Sequence, residues 1–336
     1  MKLSTSAPLL AVATLCLTTS LARPVTAAAA KPKNLTKNPI GYCTMDVEKA
    51  KKAGFDYAEL AFRQFAAMPD EEFAKFLAKH KEVGLPTPVA NVFLPNDIKV
   101  VGPDVDDAKV VEYAKKGFDR AKQLGIKIVV FGSGGARKVP DGFAKDEAQK
   151  QLVAIAKKLA PEAKKRGVTL AVEPLQSKET NIINTAGEGL EWVKAVNHPN
   201  FQLMVDFYHL ALEKEDPAIL VKAAKQIKHI HIANPRGRVF PQSSDEYDYS
   251  GFFENLRKSG YQGGISVEAK PAKDFDAEAP TAIALLRQAS SEGVKPPTHP
   301  VPEAVAPTPP TPPKPPVAPV APTPPGSAAP AAPSAK

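Results

Sequence analysis

Cysteine is nearly absent from this chain of 336 residues, which holds only Cys16 and Cys43. Cys16 lies in an N-terminal apolar stretch. Removal of that stretch would leave Cys43 alone, which excludes an internal disulfide as a brace for the fold. Long apolar runs are also lacking. The stretch Ala7–Leu17 is too short for a comfortable membrane span. No G-x-G-x-x-G follows the first expected strand, which counts against an open dinucleotide-binding sheet. The glycine cluster "GSGGARK" (132–138) lacks the spacing of a Walker loop. Basic residues outnumber acidic ones by only 44 to 36, a net charge of +8. They fall in short blocks such as Lys164, Lys165 and Arg166, which read as solvated helix faces and argue against a nucleic-acid partner.

The two ends differ from the middle. Residues 1–30 combine an early Lys2, the apolar stretch and small residues at Ala22 and Ala27–Ala30, the three-part pattern of a signal peptide. The residues before Cys16, "ATL", lack the small side chain expected ahead of a lipidated cysteine, so cleavage near Ala30 is favoured over a lipid anchor. Export to a periplasm or the medium follows, with no transmembrane segment. Residues 293–336 form a Pro/Ala-rich tail with hardly a charge. Proline lacks an amide donor and fixes φ, so the tail is expected to be a disordered, semi-stiff spacer or a tether to a cell wall.

Between these ends, residues 38–292 alternate short β-prone runs with longer amphipathic runs. Strands are expected at 40–44, 57–60, 87–93, 127–131, 169–173, 201–206, 229–233 and 264–268. Helices are expected at 47–54, 71–83, 107–124, 145–166, 186–196, 217–226, 249–259 and 277–289. Glycines at 54, 84, 125, 167 and 260 supply left-handed helix stops. Eight β-then-α units in about 255 residues match the size of a (β/α)8 TIM barrel, an α/β fold.

A barrel puts its chemistry at the C-terminal ends of its strands. The last four strands end on "LAVEP" with Glu173, "LMVDFYH" with Asp206 and His209, "HIHIANP" with His231, and "ISVEAKP" with Glu268. Three carboxylates converging on one space repel each other unless a cation or protons intervene. Two Glu, one Asp and one His suit one divalent ion: Mn2+, Mg2+, Co2+ or Zn2+. His229 shares a strand face with His231 but lies deeper, as a core histidine or one that supports a ligand. His80 and His198 are expected at the surface, and His299 in the tail. Arg137, beside the glycine cluster, is placed to meet a carboxylate or phosphate. Glu59, ending the second strand, is placed to bond substrate or Arg137.

Six segments carry a resemblance: "FLPNDIKVVGP" (93–103), "VVFGSGGARKVPDGF" (129–143), "AVEPLQSKETNIINT" (171–185), "LMVDFYHLALE" (203–213), "HIHIANPRGR" (229–238) and "DYSGFFENLRKSGYQGGISVEAK" (248–270). Together they resemble the sugar phosphate isomerase/epimerase superfamily, the xylose isomerase-like TIM barrels that include hydroxypyruvate isomerase and the ketose 3-epimerases. The resemblance implies metal ligands at Glu173, Asp206, His231 and Glu268. It implies substrate contacts at Glu179, His209 and one arginine of the seventh loop, Arg236 or Arg238. Glu173 and Glu268 would be the catalytic acid–base pair, moving a proton next to a carbonyl through an enediolate. Gln176 departs from the Asn usual in ketose epimerases. The substrate expected is a sugar or keto-sugar, and a homo-oligomer is compatible with the sequence.

Other functions are weighed against this one. The superfamily's apurinic-site endonucleases need further histidines, yet none lies between His80 and His198 or between His231 and His299. A metal-dependent dehydratase or lyase of keto-sugars or inositol derivatives would use the same ion and base. A non-catalytic sugar-binding module would not need two carboxylates flanking a metal.

Overall fold

The computed structural model describes residues 38–299. The expected signal peptide and all of the expected tail beyond residue 299 lie outside the described residues. Described elements run β1 (Ile40–Cys43), α1 (Val47–Lys52), β2 (Tyr57–Ala61), α2 (Phe62–Ala67), α3 (Asp70–Val83), β3 (Val89–Asn91), α4 (Asp107–Leu124), β4 (Ile128–Phe131), α5 (Gly134–Arg137), α6 (Lys145–Lys165), β5 (Thr169–Val172), α7 (Ala186–Val196), β6 (Phe201–Asp206), α8 (Phe207–Leu212), α9 (Ile219–Lys222), β7 (Ile227–Ile232), α10 (Ser250–Ser259), β8 (Ile265–Val267) and α11 (Phe275–Ser291). Each strand pairs in parallel with the next, and β8 pairs back onto β1 to close the barrel. The (β/α)8 expectation is met.

Local chemistry explains most boundaries. The five glycine stops all have positive φ, from 68° at Gly84 to 90° at Gly54. Helix α4 is capped at its start by Asp106, whose carboxylate accepts from Lys109 N, and at its end by left-handed Gly125. Helix α7 opens with a capping box between Thr185 and Glu188. The expected helix at 217–226 shrinks to the four residues of α9, with turns on both sides of it, and β7 starts at Ile227, two residues earlier than expected. Helices α2, α5 and α8 are short insertions at the mouth that periodicity over long windows does not reveal. No helix among the described residues is long and apolar enough to cross a membrane.

The barrel interior is layered, and the layering positions the site. Tyr57, Val89, Val130, Ala171 and Met204 pack into a small cluster separate from the main core between sheet and helices. Burying each large apolar side chain contributes roughly 1.5–3 kcal/mol. Side chains two apart on a strand share a face, so the next inward positions are Glu59, Asn91, Gly132, Glu173 and Asp206. The same step leads from Gly41 to Cys43, from His229 to His231 and from Ser266 to Glu268. An apolar floor therefore carries a polar ring at the barrel mouth. Gly41 and Gly264 leave room for the Tyr57 ring in that floor, where any Cβ would overlap it. Its hydroxyl shares a 2.7 Å hydrogen bond with Ser266 Oγ.

Candidate metal centre and active site

Glu173 and Glu268 sit one residue past β5 and β8, Asp206 ends β6, and His231 is the penultimate residue of β7. One ligand atom from each lies within 4.8 Å of all the others. His231 Nδ1 is 3.6 Å from Glu173 Oε1 and 3.4 Å from Glu268 Oε2.

Each of the four is fixed by its other side. Asp206 caps α8: its Oδ1 accepts from Tyr208 N at 2.8 Å, which aims Oδ2 at the centre. The Glu173 carbonyl accepts from Arg137 Nη2 at 2.6 Å, and its amide donates to Phe131 O. His231 Nε2 bonds Glu59 Oε1 at 2.9 Å. Glu268 Oε1 accepts from Asn91 Nδ2 at 2.8 Å. A carboxylate behind a histidine fixes its tautomer and orientation, the usual support for a metal ligand.

The atoms left over fit a cation. Glu173 Oε1, Asp206 Oδ2 and His231 Nδ1 are fully buried and lack a hydrogen-bond partner. With Nε2–H given to Glu59, the neutral ring presents a lone pair at Nδ1; the nearby acids raise the ring's proton affinity well above normal, so a cation there would take the place of a proton. No donor comes within hydrogen-bond distance of these three atoms, and unpaired polar atoms are costly to bury. One divalent ion with oxygen and imidazole preferences satisfies all three. The electrostatics agree. Burial pushes the Asp206 carboxyl up to about 7 despite Arg238 and His231. Burial raises Glu173 as well, with His231 opposing and Glu268 adding to the rise. Burial opposes the charge on Glu268, but Arg238 and His231 outweigh it and hold that carboxyl well below its usual range.

Around this centre lie groups able to hold a substrate. His209 is buried, and its Nδ1 accepts from Gln176 N at 3.2 Å. The ring proton is thereby assigned to Nε2, which faces Asp206 Oδ2 at 3.6 Å and Glu173 Oε1 at 3.9 Å. Burial and Arg238 lower its basicity well below normal, so it is a neutral donor. Of Arg236 and Arg238, the two arginines left open in the sequence, Arg238 brings its guanidinium to the carboxylates of the centre. Its guanidinium lies 2.5 Å from Glu268 Oε2, 3.4 Å from Glu179 Oε1 and 3.8 Å from Asp206 Oδ2, over the Tyr208 ring. Arg236 instead turns the loop, donating its amide to Asn234 Oδ1, with its charge acting on Tyr249. Gln176 donates to Glu179 Oε1 at 2.9 Å and to the Tyr208 hydroxyl at 3.2 Å, so its longer side chain organises the pocket wall.

Three expectations are revised. Glu59 bonds His229 at 2.8 Å and His231 at 2.9 Å rather than substrate or Arg137. Arg137 is fully buried and donates to the carbonyls of Phe131 and Glu173, so it is a strut under Glu173 and not an anion contact. His80 is buried in the last turn of α3 against Thr87 Oγ1 at 3.0 Å rather than at the surface. The glycine cluster makes room for protein, since a Cβ at Gly132 would overlap the Glu173 carboxylate. His229 is a supporting histidine, bonded to Glu59 and to Ser266. Sequence reading missed Asn91 and Tyr208. A polar residue ending the short run "PVAN" was the available signal for Asn91.

The family model described as xylose isomerase-like TIM barrel matches residues 47–289. An L-ribulose 3-epimerase of Methylomonas sp. (strain DH-1) is 29% identical over 248 residues, covering 71% of this chain and 82% of that protein. A D-psicose 3-epimerase of Agrobacterium fabrum is 26% identical over 231 residues, 66% of this chain and 77% of that one. Among solved structures, a D-allulose 3-epimerase from Methylomonas sp. is similar at a TM-score of 0.62 and 25% identity, covering 76% of this chain and 99% of that chain. A 3-keto-D-glucoside 4-epimerase from E. coli shares the fold at a TM-score of 0.65 and 22% identity, covering 75% of this chain and 100% of that chain.

Proposed function

This chain belongs to the xylose isomerase-like TIM barrel family, and on that premise we propose that it is a metal-dependent sugar epimerase acting next to a ketose carbonyl. The observation that carries this reading is the convergence of Glu173 Oε1, Asp206 Oδ2 and His231 Nδ1, all buried and unpartnered, beside the carboxylate of Glu268. The relatives are named as ketose epimerases, and the family match over residues 47–289 spans the residues of the site.

Glu173, Asp206, His231 and Glu268 would hold one divalent ion. Bound there, such an ion would polarise a substrate carbonyl and stabilise negative charge developing on its oxygen. Glu173 and Glu268 reach the centre from β5 and β8 and flank His231 Nδ1. One removes the proton from the carbon next to the carbonyl, leaving an enediolate, and the other returns a proton to the opposite face. Their environments push their proton affinities apart, burial raising Glu173 and Arg238 depressing Glu268, which suits an acid and a base in one site. The base contributes about 10²–10⁴-fold in rate. Neutral His209 offers its Nε2–H to a substrate hydroxyl or to the developing oxyanion. Arg238 and Glu179 bind further hydroxyls while holding each other at 3.4 Å.

The test is incubation with a panel of ketoses and 3-keto-sugars in D2O, with Mn2+ present, read by proton NMR. Deuterium at the carbon beside the carbonyl, together with the epimeric sugar, is the expected result. Loss of water to an unsaturated product would replace the proposal with a dehydratase, and neither exchange nor product across the panel would overturn it.

A further inference from the structure

The polar ring at the mouth contains a second group with ligand chemistry. Cys43, Glu59 and His231 each present a ligand atom within 4.8 Å of the other two. Cys43 pairs directly with Glu59 across β1 and β2, so both project inward at one level. Glu59 and His231 are fully buried, whereas Cys43 is only partly covered. The composition of the group differs from that of the neighbouring centre, with sulfur, nitrogen and one carboxylate in place of three carboxylates and one nitrogen.

We infer that Cys43, Glu59 and His231 form a separate binding site for a thiophilic divalent cation, such as Zn2+, Cd2+ or Co2+. Thiolate, imidazole and carboxylate are the ligands that such ions select. Binding releases two protons to solvent, one from the Cys43 thiol and one from His231 Nε2, so that with the first ion at Nδ1 the ring bridges the two sites as an imidazolate. Mg2+ and Mn2+ prefer oxygen ligands and do not compete for a group built on sulfur and nitrogen.

The two sites share His231. Its Nε2 faces Glu59 at 2.9 Å, and its Nδ1 faces Glu173 and Glu268. A cation among Cys43, Glu59 and His231 replaces the Glu59 hydrogen bond that orients the imidazole. Thiophilic ions therefore act as inhibitors through a residue outside the proposed catalytic set.

The test is a Co2+ titration of the metal-free, purified chain, read by ultraviolet absorbance. Wild type is expected to bind a first equivalent without a sulfur signal and then a further equivalent with a thiolate-to-cobalt charge-transfer band. In Cys43→Ser and Cys43→Ala the band is lost while the first equivalent still binds. In turnover assays, the part of the Cd2+ inhibition that excess Mn2+ does not reverse is lost in the same variants. Absence of the band from wild type at several equivalents of Co2+ would overturn the inference, as would a band that survives in both variants. The absorbance needs no substrate, so its outcome stands whether or not the proposed epimerase activity is found.

Discussion

Arg238 Nη2 lies 2.5 Å from Glu268 Oε2, and Asn91 holds the other oxygen of that carboxylate at 2.8 Å. The proposed base is thus clamped from β3 and from the loop after β7. Hydrogen bonds to charged groups are worth about 1.5–3 kcal/mol. Arg238→Ala is expected to lower kcat/KM roughly 10- to 100-fold, as that energy implies, with Arg238→Lys recovering part of the loss. Steady-state kinetics on the ketose identified by deuterium exchange would check this. Unchanged kcat/KM in Arg238→Ala would detach Arg238 from the site.

Glu59 supports His231 from beneath, and its two oxygens are divided between His229 and His231. Burial opposes the Glu59 charge, but the two histidines outweigh it and hold the carboxyl far below its usual range. Glu59→Gln keeps the shape and removes the charge. Loss of such a supporting carboxylate costs about 10- to 100-fold in metal affinity. Calorimetric titration with Mn2+ measures this, and equal affinity would contradict the supporting role.

Gly132 sits where the β4 loop passes the Glu173 carboxylate, and an added methyl would overlap Oε2. Gly132→Ala is expected to displace Glu173, destabilise the fold by about 1–3 kcal/mol and abolish most turnover. Thermal melting and activity measured together test this. Full activity with an unchanged melting temperature would show that the glycine is dispensable.

The pH dependence has a definite sign. An unfolded Asp titrates near about 3.9, whereas folded Asp206 is pushed up to about 7 by burial. A raised folded value contributes stability that is complete below the unfolded value and is lost as pH rises through the folded one. Glu173, raised by burial, acts in the same direction. Burial lowers His231, but Glu59 and the other nearby acids more than offset this and raise it well above normal, so it too favours the folded state at low pH. Depressed Glu268 acts oppositely, losing its contribution only in strong acid. Buried His209 and His229, both lowered by burial, also act oppositely below the ordinary histidine value of about 6.5. The metal-free protein should therefore lose stability between about pH 6.5 and pH 8, while an ion that replaces these protons binds better. The rise in Tm caused by Mn2+ is therefore expected to be larger at pH 8, and an equal rise at both pH values would count against the linkage.

The alternation of runs and the glycine stops made the barrel legible in sequence, because each strand and helix carried its own local signal. The four converging residues were legible for the same reason: strand ends in a barrel share one rim. What stayed hidden depends on contacts between distant segments. Arg137 looked like a loop cation, yet the carbonyls of Phe131 and Glu173 claim it. Glu59 looked pocket-facing, but only closure of the barrel brings the two histidines of β7 to it across the interior. The difference between Arg236 and Arg238 arises from a turn at Gly237 and left-handed Arg238, which no periodicity encodes.

The most direct measurement is calorimetric titration of the metal-free protein with Mn2+, beside Asp206→Asn, which keeps the side-chain shape but removes the charge of an otherwise unpartnered oxygen. One ion per chain in wild type, with affinity reduced at least about 10-fold in the variant, is the outcome expected of a cation seated between β5, β6, β7 and β8. No binding in wild type, or equal affinity in the two proteins, would contradict it.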